Sequence, residues 1–123
     1  MTSETRLNIF KRASLCRNFE NYVYSLIQKN TFKFPLYLSA GQEFIPATIA
    51  EFFKKEHPYI FGQHRAHSTY LSFGGDIKEL IDELNGKSTG CAGGMGGSAS
   101  IQSKKIKMFG HDGLMGTQVP IAV

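Results

Sequence analysis

Gly90-Cys91-Ala92-Gly93-Gly94-Met95-Gly96-Gly97-Ser98 decides how the second half of this chain is read. Five of the eight residues from Gly90 to Gly97 are glycine, and the run carries no charge. So much glycine costs backbone entropy, and so few side chains bury little surface. Such a run serves close backbone approach, unusual dihedrals or motion. It lies between a helical pattern and an apolar segment, Leu114 to Val123. Two readings stay open: a flexible loop over a cofactor or substrate site, and a mobile connector.

The 123 residues suit a single small domain. Apolar residues make up 41%, enough for a core, and ten Phe offer large groups to bury. Fourteen basic and ten acidic side chains leave a net charge of only +4. The basic residues are dispersed apart from Lys104, Lys105 and Lys107, too thin a cluster for nucleic-acid binding. Cys16 and Cys91 stand far apart with no partners at metal spacing, which points to a reduced, cytoplasmic protein. The start is charged and lacks the apolar core of a signal peptide. No stretch of about 18 apolar residues is present, so no membrane span is expected. The chain stops inside the apolar run Gln118-Val119-Pro120-Ile121-Ala122-Val123. The expectation is that residues 1–123 are the N-terminal portion of a single, longer domain, or a fold that needs a partner.

Four helical patterns precede and flank the glycine run. The first spans about Glu4 to Lys29, with Ser3 as its cap and Leu7, Phe10, Leu15, Phe19, Val23, Leu26 and Ile27 on its apolar face. The second is expected to open at Ser39, with Gln42 completing a capping box, and to bury Ile45, Ile49, Phe52 and Phe53. Pro46 should kink it or delay its start. A short third helix runs near His64 to Phe73. The fourth opens with Asp76 and Glu79, buries Ile77, Leu80, Ile81 and Leu84, and stops at Gly86. Lys105 to Phe109 alternates like a short strand.

Gln63-His64-Arg65-Ala66-His67 concentrates groups that hold anions or move protons. Arginine offers a planar fork of donors suited to phosphate, and a neighbouring histidine donates to the same oxyanion. On a helix, His64 and His67 would fall on adjacent turns of one face. Phosphate binding, a metal pair and a solvated helix start all remain open. Two other phosphate motifs fail. Gly86-Lys87-Ser88 has Ile81 where a P-loop needs its first glycine, and Gly94-Met95-Gly96 has Ala99 at the third position of a dinucleotide fingerprint. Glu20, Glu43 and Asp82 cannot be paired from spacing alone. Cys91 reads as a structural thiol, and Met95, Met108 and Met115 as core.

The order of motifs says more than any one of them. Gly41-Gln42-Glu43 comes first, then His64-Arg65-Ala66-His67, then Glu79 to Lys87. The glycine run and Gly113-Leu114-Met115-Gly116-Thr117-Gln118-Val119-Pro120 follow. In this order the chain resembles, over nearly its whole length, the alpha subunit of the thiamine-diphosphate-dependent 2-oxo acid dehydrogenases. The pyruvate and acetoin branches are the nearest. The resemblance implies an α/β fold: the N-terminal part of a thiamine-diphosphate-binding domain, helix-rich at the start and followed by a Gly-rich cofactor loop. It implies that Arg65 and His64 hold the diphosphate and that Gly113 and Met115 hold the aminopyrimidine. Ser103 lies near a further cofactor position, and Thr117 and Gln118 match a monovalent-cation site of one branch. Tyr37 and His67 are the catalytic candidates, with Tyr37 lining the substrate pocket.

The same resemblance implies oxidative decarboxylation of a pyruvate-like 2-oxo acid, with thiamine diphosphate and Mg²⁺ as cofactors. The implied partners are a beta-type subunit in an alpha-two beta-two tetramer and a lipoyl-bearing acyltransferase. Three departures stand out. The Gly-Asp-Gly magnesium motif with its later Asn is not in this sequence. Tyr37 occupies the place, four residues before Gly41, where pyruvate-type members have a histidine. Ser98-Ala99-Ser100 replaces the usual Ser-Met-His. These departures keep two alternatives in view: transfer of the activated aldehyde to a non-lipoyl acceptor, and a non-catalytic interaction module.

Overall fold

The computed structural model describes residues 1–110, 114 and 116–123, which form five α-helices, a 3-10 turn at Lys54–Glu56 and one short parallel strand pair. Helix α1, Ser3–Gln28, is capped by Thr2, whose Oγ1 accepts the Thr5 N–H at 3.1 Å. The cap therefore sits one residue earlier than Ser3. The periodic face is present but differently phased in its first half. Ile9, Ala13, Cys16, Phe19, Glu20 and Val23 are buried, whereas Leu7, Phe10 and Leu15 are exposed.

Helix α2, Phe44–Phe53, starts five residues later than Ser39. Pro46 is its third residue, where a backbone N–H would have no helical partner, so the ring sets the start and breaks nothing. Ser39 is no cap. Its hydroxyl donates instead to Glu20 Oε1 at 2.7 Å. The buried face is also not the expected one. Pro46, Ala47 and Ala50 turn inward, while Ile45, Ile49, Phe52 and Phe53 face out. The alanines let α2 lie close on α1, where Ala47 packs with Ile9 and Ala13. Glu51 ties the two helices together, accepting from Asn8 Nδ2 at 2.9 Å and Arg12 Nη2 at 3.3 Å. Arg12 Nη1 reaches on to the Ser72 carbonyl at 3.1 Å.

Strand β1, Ile60–Phe61, pairs in parallel with β2, Met108–Phe109, in the register Ile60 to Met108 and Phe61 to Phe109. A parallel pair needs a long crossover. Here the crossover contains α3, His67–Ser72, then α4, Ile77–Leu84, then the glycine run. The α4 start and stop match the sequence reading. Asp76 Oδ1 accepts the Glu79 N–H at 2.9 Å, and Gly86 ends the helix at φ 69°. Its buried residues, however, are Leu80, Asp82, Glu83 and Leu84, while Ile77 is exposed. The expected strand at Lys105–Phe109 is reduced to its last two residues, preceded by a tight turn that bridges Ser103 to Met108. The final helix, α5, is Gln118–Ala122, and its Val119 and Ile121 side chains lie exposed.

The main core joins Cys16, Phe19 and Val23 of α1 to Tyr70, Leu71, Leu80, Leu84, Ile60, Ile101 and Met108. Among the described residues Phe19, at 4% exposure, is the one phenylalanine in the buried core, so the phenylalanines contribute less to it than their number suggested. Met95, at 93% exposure, is also outside it.

The glycine run is shaped by close approach. A Cβ on Gly94 would lie 2.5 Å from the Gly86 carbonyl carbon and 2.6 Å from the Lys87 oxygen, and Gly94 adopts φ 77°. Backbone clash and left-handed strain act together at this residue. We expect Gly94→Ala to destabilise the protein by about 2 kcal/mol, read from its denaturant midpoint. An unchanged midpoint would show that the run does not pack as described.

Candidate functional site

Glu83 explains the order of the glycine run. Its side chain is buried at 1% exposure, and its carboxylate accepts four backbone N–H groups. Ala92 and Gly94 donate to Oε2, both at 2.8 Å, and Gly96 and Gly97 donate to Oε1 at 2.8 and 3.0 Å. Such a ring of amides satisfies a buried charge that would otherwise be costly. Three of the four donors are glycines, and at Gly94 and Gly96 a Cβ would run into neighbouring backbone, so the close convergence depends on their lacking side chains. The neighbouring Asp82 is held by Lys87 Nζ and Thr89 Oγ1, each at 2.8 Å, which lower its pKa from the ordinary value.

A second buried acid lies under the other end of the run. Glu20 Oε1 is 3.0 Å from His67 Nδ1, and His67 Nε2 is 2.8 Å from Ser98 Oγ. Ser98 Oγ also accepts the Tyr37 N–H at 2.8 Å. Ser39 and Ser68 close the network beside Glu20, their hydroxyls 2.7 Å apart. Glu20 Oε2 is buried and has no partner among the described residues. The order acid, imidazole, hydroxyl is that of an acyl-transfer triad. Ser98 is nevertheless only 3% exposed, with a lone pair already engaged by Tyr37, so it is not placed as a nucleophile.

His64 and His67 do not share a helix face. Helix α3 begins at His67, whereas His64 precedes it in a left-handed conformation at φ 48°. Both ring nitrogens of His67 face protein partners, so the metal-pair reading fails there. Among the described residues no three His, Cys, Asp or Glu side chains gather as a metal cage.

What the structure does bring together is a cluster around Gln63, His64 and Arg65. The Tyr37 and His64 rings lie 4.0 Å apart, centroid to centroid. Arg65 Nη1 donates to the Leu38 carbonyl at 2.7 Å, and the rest of its side chain is exposed. Gln63 clamps the third segment, donating through Nε2 to the Leu114 carbonyl at 2.9 Å and accepting the Gly116 N–H at 3.2 Å. Gly113 and Met115, expected to hold a pyrimidine ring, lie outside the described residues. Thr117 Oγ1 donates to Leu114 O at 2.8 Å, and Gln118 is buried. Ser103 stands elsewhere. It is buried, its backbone pairs with Met108, and it lines an open groove of about 1120 Å³ with Tyr59, Lys105 and Phe109. That lining includes neither His64 nor Arg65.

Sequence spacing gave no role to Glu83 or Ser98, left Glu20 unpaired, and named Gln63 only as part of the Gln63–His67 segment. Glu20 and Glu83 carried a readable signal. Glu20 falls on the same stripe as Cys16 and Val23, and Glu83 sits between Leu80 and Leu84. A carboxylate on a buried stripe demands a partner. Burial raises both thiols, Cys91 to about 11, so neither is a ready nucleophile.

Residues 11–123 match the family model described as dehydrogenase E1 component, and the chain belongs to that family. It is 30% identical over 120 residues to pyruvate dehydrogenase E1 component subunit alpha-1, mitochondrial, of Arabidopsis thaliana, covering 98% of this chain and 31% of the relative. It is 29% identical over 118 residues to pyruvate dehydrogenase E1 component subunit alpha of Zymomonas mobilis, covering 96% of this chain and 33% of the relative. It is 31% identical over 118 residues to the protein of that name in Rickettsia typhi, covering 96% and 36%. The chain thus spans about a third of the length of the curated relatives it matches.

Glu43, of the Gly41-Gln42-Glu43 motif, is anchored by Arg17, with Nε to Oε1 at 2.6 Å and Nη2 to Oε2 at 3.1 Å. That pairing, helped by the Gly41 N–H, lowers its pKa from 4.5 to about 2. A carboxyl depressed by folding stabilises the fold fully above its unfolded value. The contribution is then lost as pH falls from about 4.5 toward about 2. Replacing the guanidinium in Arg17→Met should move the acid-unfolding midpoint to higher pH in a circular dichroism titration. An unmoved midpoint would mean that the pair does not link α1 to this motif.

Proposed function

We propose that this chain carries part of the cofactor site of a thiamine-diphosphate-dependent 2-oxo acid dehydrogenase, as its alpha subunit, acting on pyruvate or a similar acid. The observation that carries the reading is the meeting of three distant segments. Tyr37-Leu38, Gln63-His64-Arg65 and Leu114-Gly116 are joined by direct contacts; the motif order singled out His64-Arg65 and the segment around Leu114, and Tyr37 stood out as a departure from the resemblance. Family membership and the pyruvate dehydrogenase names of the relatives support the same class.

The donor set suits a diphosphate. Arg65 has an exposed guanidinium with one N–H pinned to Leu38, which orients the others, and His64 stands next to it. These two would hold the diphosphate, with backbone near Gly113 and Met115 against the pyrimidine. When bound, thiamine diphosphate supplies the nucleophilic carbon and electron sink for decarboxylation. Tyr37, half-buried against His64, would line the substrate side. His67 would act through Ser98 on the Tyr37 backbone. The glycine run would close one side of the cofactor space and exclude water, already ordered by Glu83.

The proposal includes Mg²⁺ as a second cofactor, a beta-type subunit in an alpha-two beta-two assembly, and a lipoyl-bearing acyltransferase as acceptor. It also includes a cytoplasmic location, which the two free cysteines support. The phenol of Tyr37 in place of an imidazole favours one second reading, in which the acceptor is not a lipoyl domain.

The test is calorimetric titration of thiamine diphosphate with Mg²⁺ into the intact protein, with and without its beta-type partner. Saturable binding is expected, and Arg65→Ala should weaken it by at least ~1.5 kcal/mol, about tenfold. Equal affinity in the variant would remove Arg65 from the site, and no binding in either setting would leave an interaction module.

A further inference from the structure

The buried chain Glu20–His67–Ser98 ends on the backbone of Tyr37, and its hydrogen-bond directions can be worked out. An ionised carboxylate only accepts, so in the neutral ring His67 Nδ1 carries the proton toward Glu20 Oε1, 3.0 Å away. Nε2 is then the acceptor, and Ser98 Oγ donates its one proton to it over 2.8 Å. Ser98 Oγ keeps its lone pairs for the Tyr37 N–H, also at 2.8 Å. Every donor thus points from Tyr37 toward Glu20. Tyr37 lies in a segment without helix or strand. Its amide is held by Ser98 on one side, and the next carbonyl, Leu38, is held by Arg65 on the other. Ser98 also closes the glycine run that Glu83 moors through Gly96 and Gly97.

We propose that Glu20, His67 and Ser98 are positioning residues, a one-way relay that pins Tyr37 and registers the glycine run against the substrate side of the site. The claim about substrate rests on the thiamine-diphosphate reading, whereas the claim about the relay does not. Two measurements on the intact protein therefore come first. Long-range ¹⁵N spectra should show His67 as the Nδ1–H tautomer. Amide exchange at Tyr37 should speed up by about 100-fold in Ser98→Ala, and Ser98→Thr, which keeps the hydroxyl, should restore most of the protection. A His67 ring in the Nε2–H form, or a Tyr37 amide equally protected in Ser98→Ala, overturns the relay.

With thiamine diphosphate bound and pyruvate as the probe, Ser98→Ala and His67→Gln should each raise KM by about tenfold with a smaller change in kcat. The double variant should be no worse than the singles, because both break one chain. Unchanged KM in folded variants overturns the positioning role. If the wild-type protein binds no thiamine diphosphate, the functional reading fails by itself, and the tautomer and exchange results still decide the relay. Should Ser98→Ala not fold, the wild-type tautomer remains decisive.

Discussion

The carboxylate of Glu83 is what the glycine-rich half of the molecule is built around. A buried charge without partners would cost several kcal/mol, and here it is neutralised by main-chain dipoles rather than by a cation. Four amides from one short run converge on its two oxygens. That convergence forces the run into a compact coil packed on Gly86 and Lys87, with no room for side chains at Gly90 or Gly94. The run is therefore an ordered wall with a defined end. The end is Ser98, delivered to His67.

From Ser98 the order passes to the candidate site. The hydroxyl holds Tyr37, and the neighbouring Leu38 carbonyl orients Arg65. Gln63, two residues before Arg65, clamps the segment around Leu114 and Gly116. These links are one hydrogen bond each at Tyr37 and Arg65 and two at Gln63, each bond individually worth about a kcal/mol. Their effect comes from sharing partners, so that the glycine run, the Tyr37 segment and the arginine are set in register with one another. His64 adds a left-handed backbone at the centre of this cluster, a conformation that costs energy and is held by its surroundings. The two acids that anchor the arrangement, Glu20 and Glu83, lie on the buried faces of helices α1 and α4.

Much of the helical framework was readable along the chain. Helix α1 appears with the expected extent, and α4 opens at Asp76 and stops at Gly86, because caps and stop residues act over a few neighbouring positions. Which face a helix buries was less readable. The apolar side chains of α2 pointed to Ile45, Ile49, Phe52 and Phe53, but its small residues face α1. Close approach of two helices is decided by what the neighbour leaves room for. Glu20 was readable only as an unpaired acid, since His67 is 47 residues away, and the partners of Glu83 are backbone amides, which residue types do not reveal.

The sequence by itself determined the extent of α1, both ends of α4 and the family, because these rest on residue types at short, ordered spacings. Only the tertiary structure decided that His67 turns into the core while His64 faces Tyr37, that Ser103 lines a different groove, and that the glycine run wraps a carboxylate. The reason is physical. A buried polar group is satisfied by whatever donor the fold brings within 3 Å, and that donor can come from anywhere in the chain.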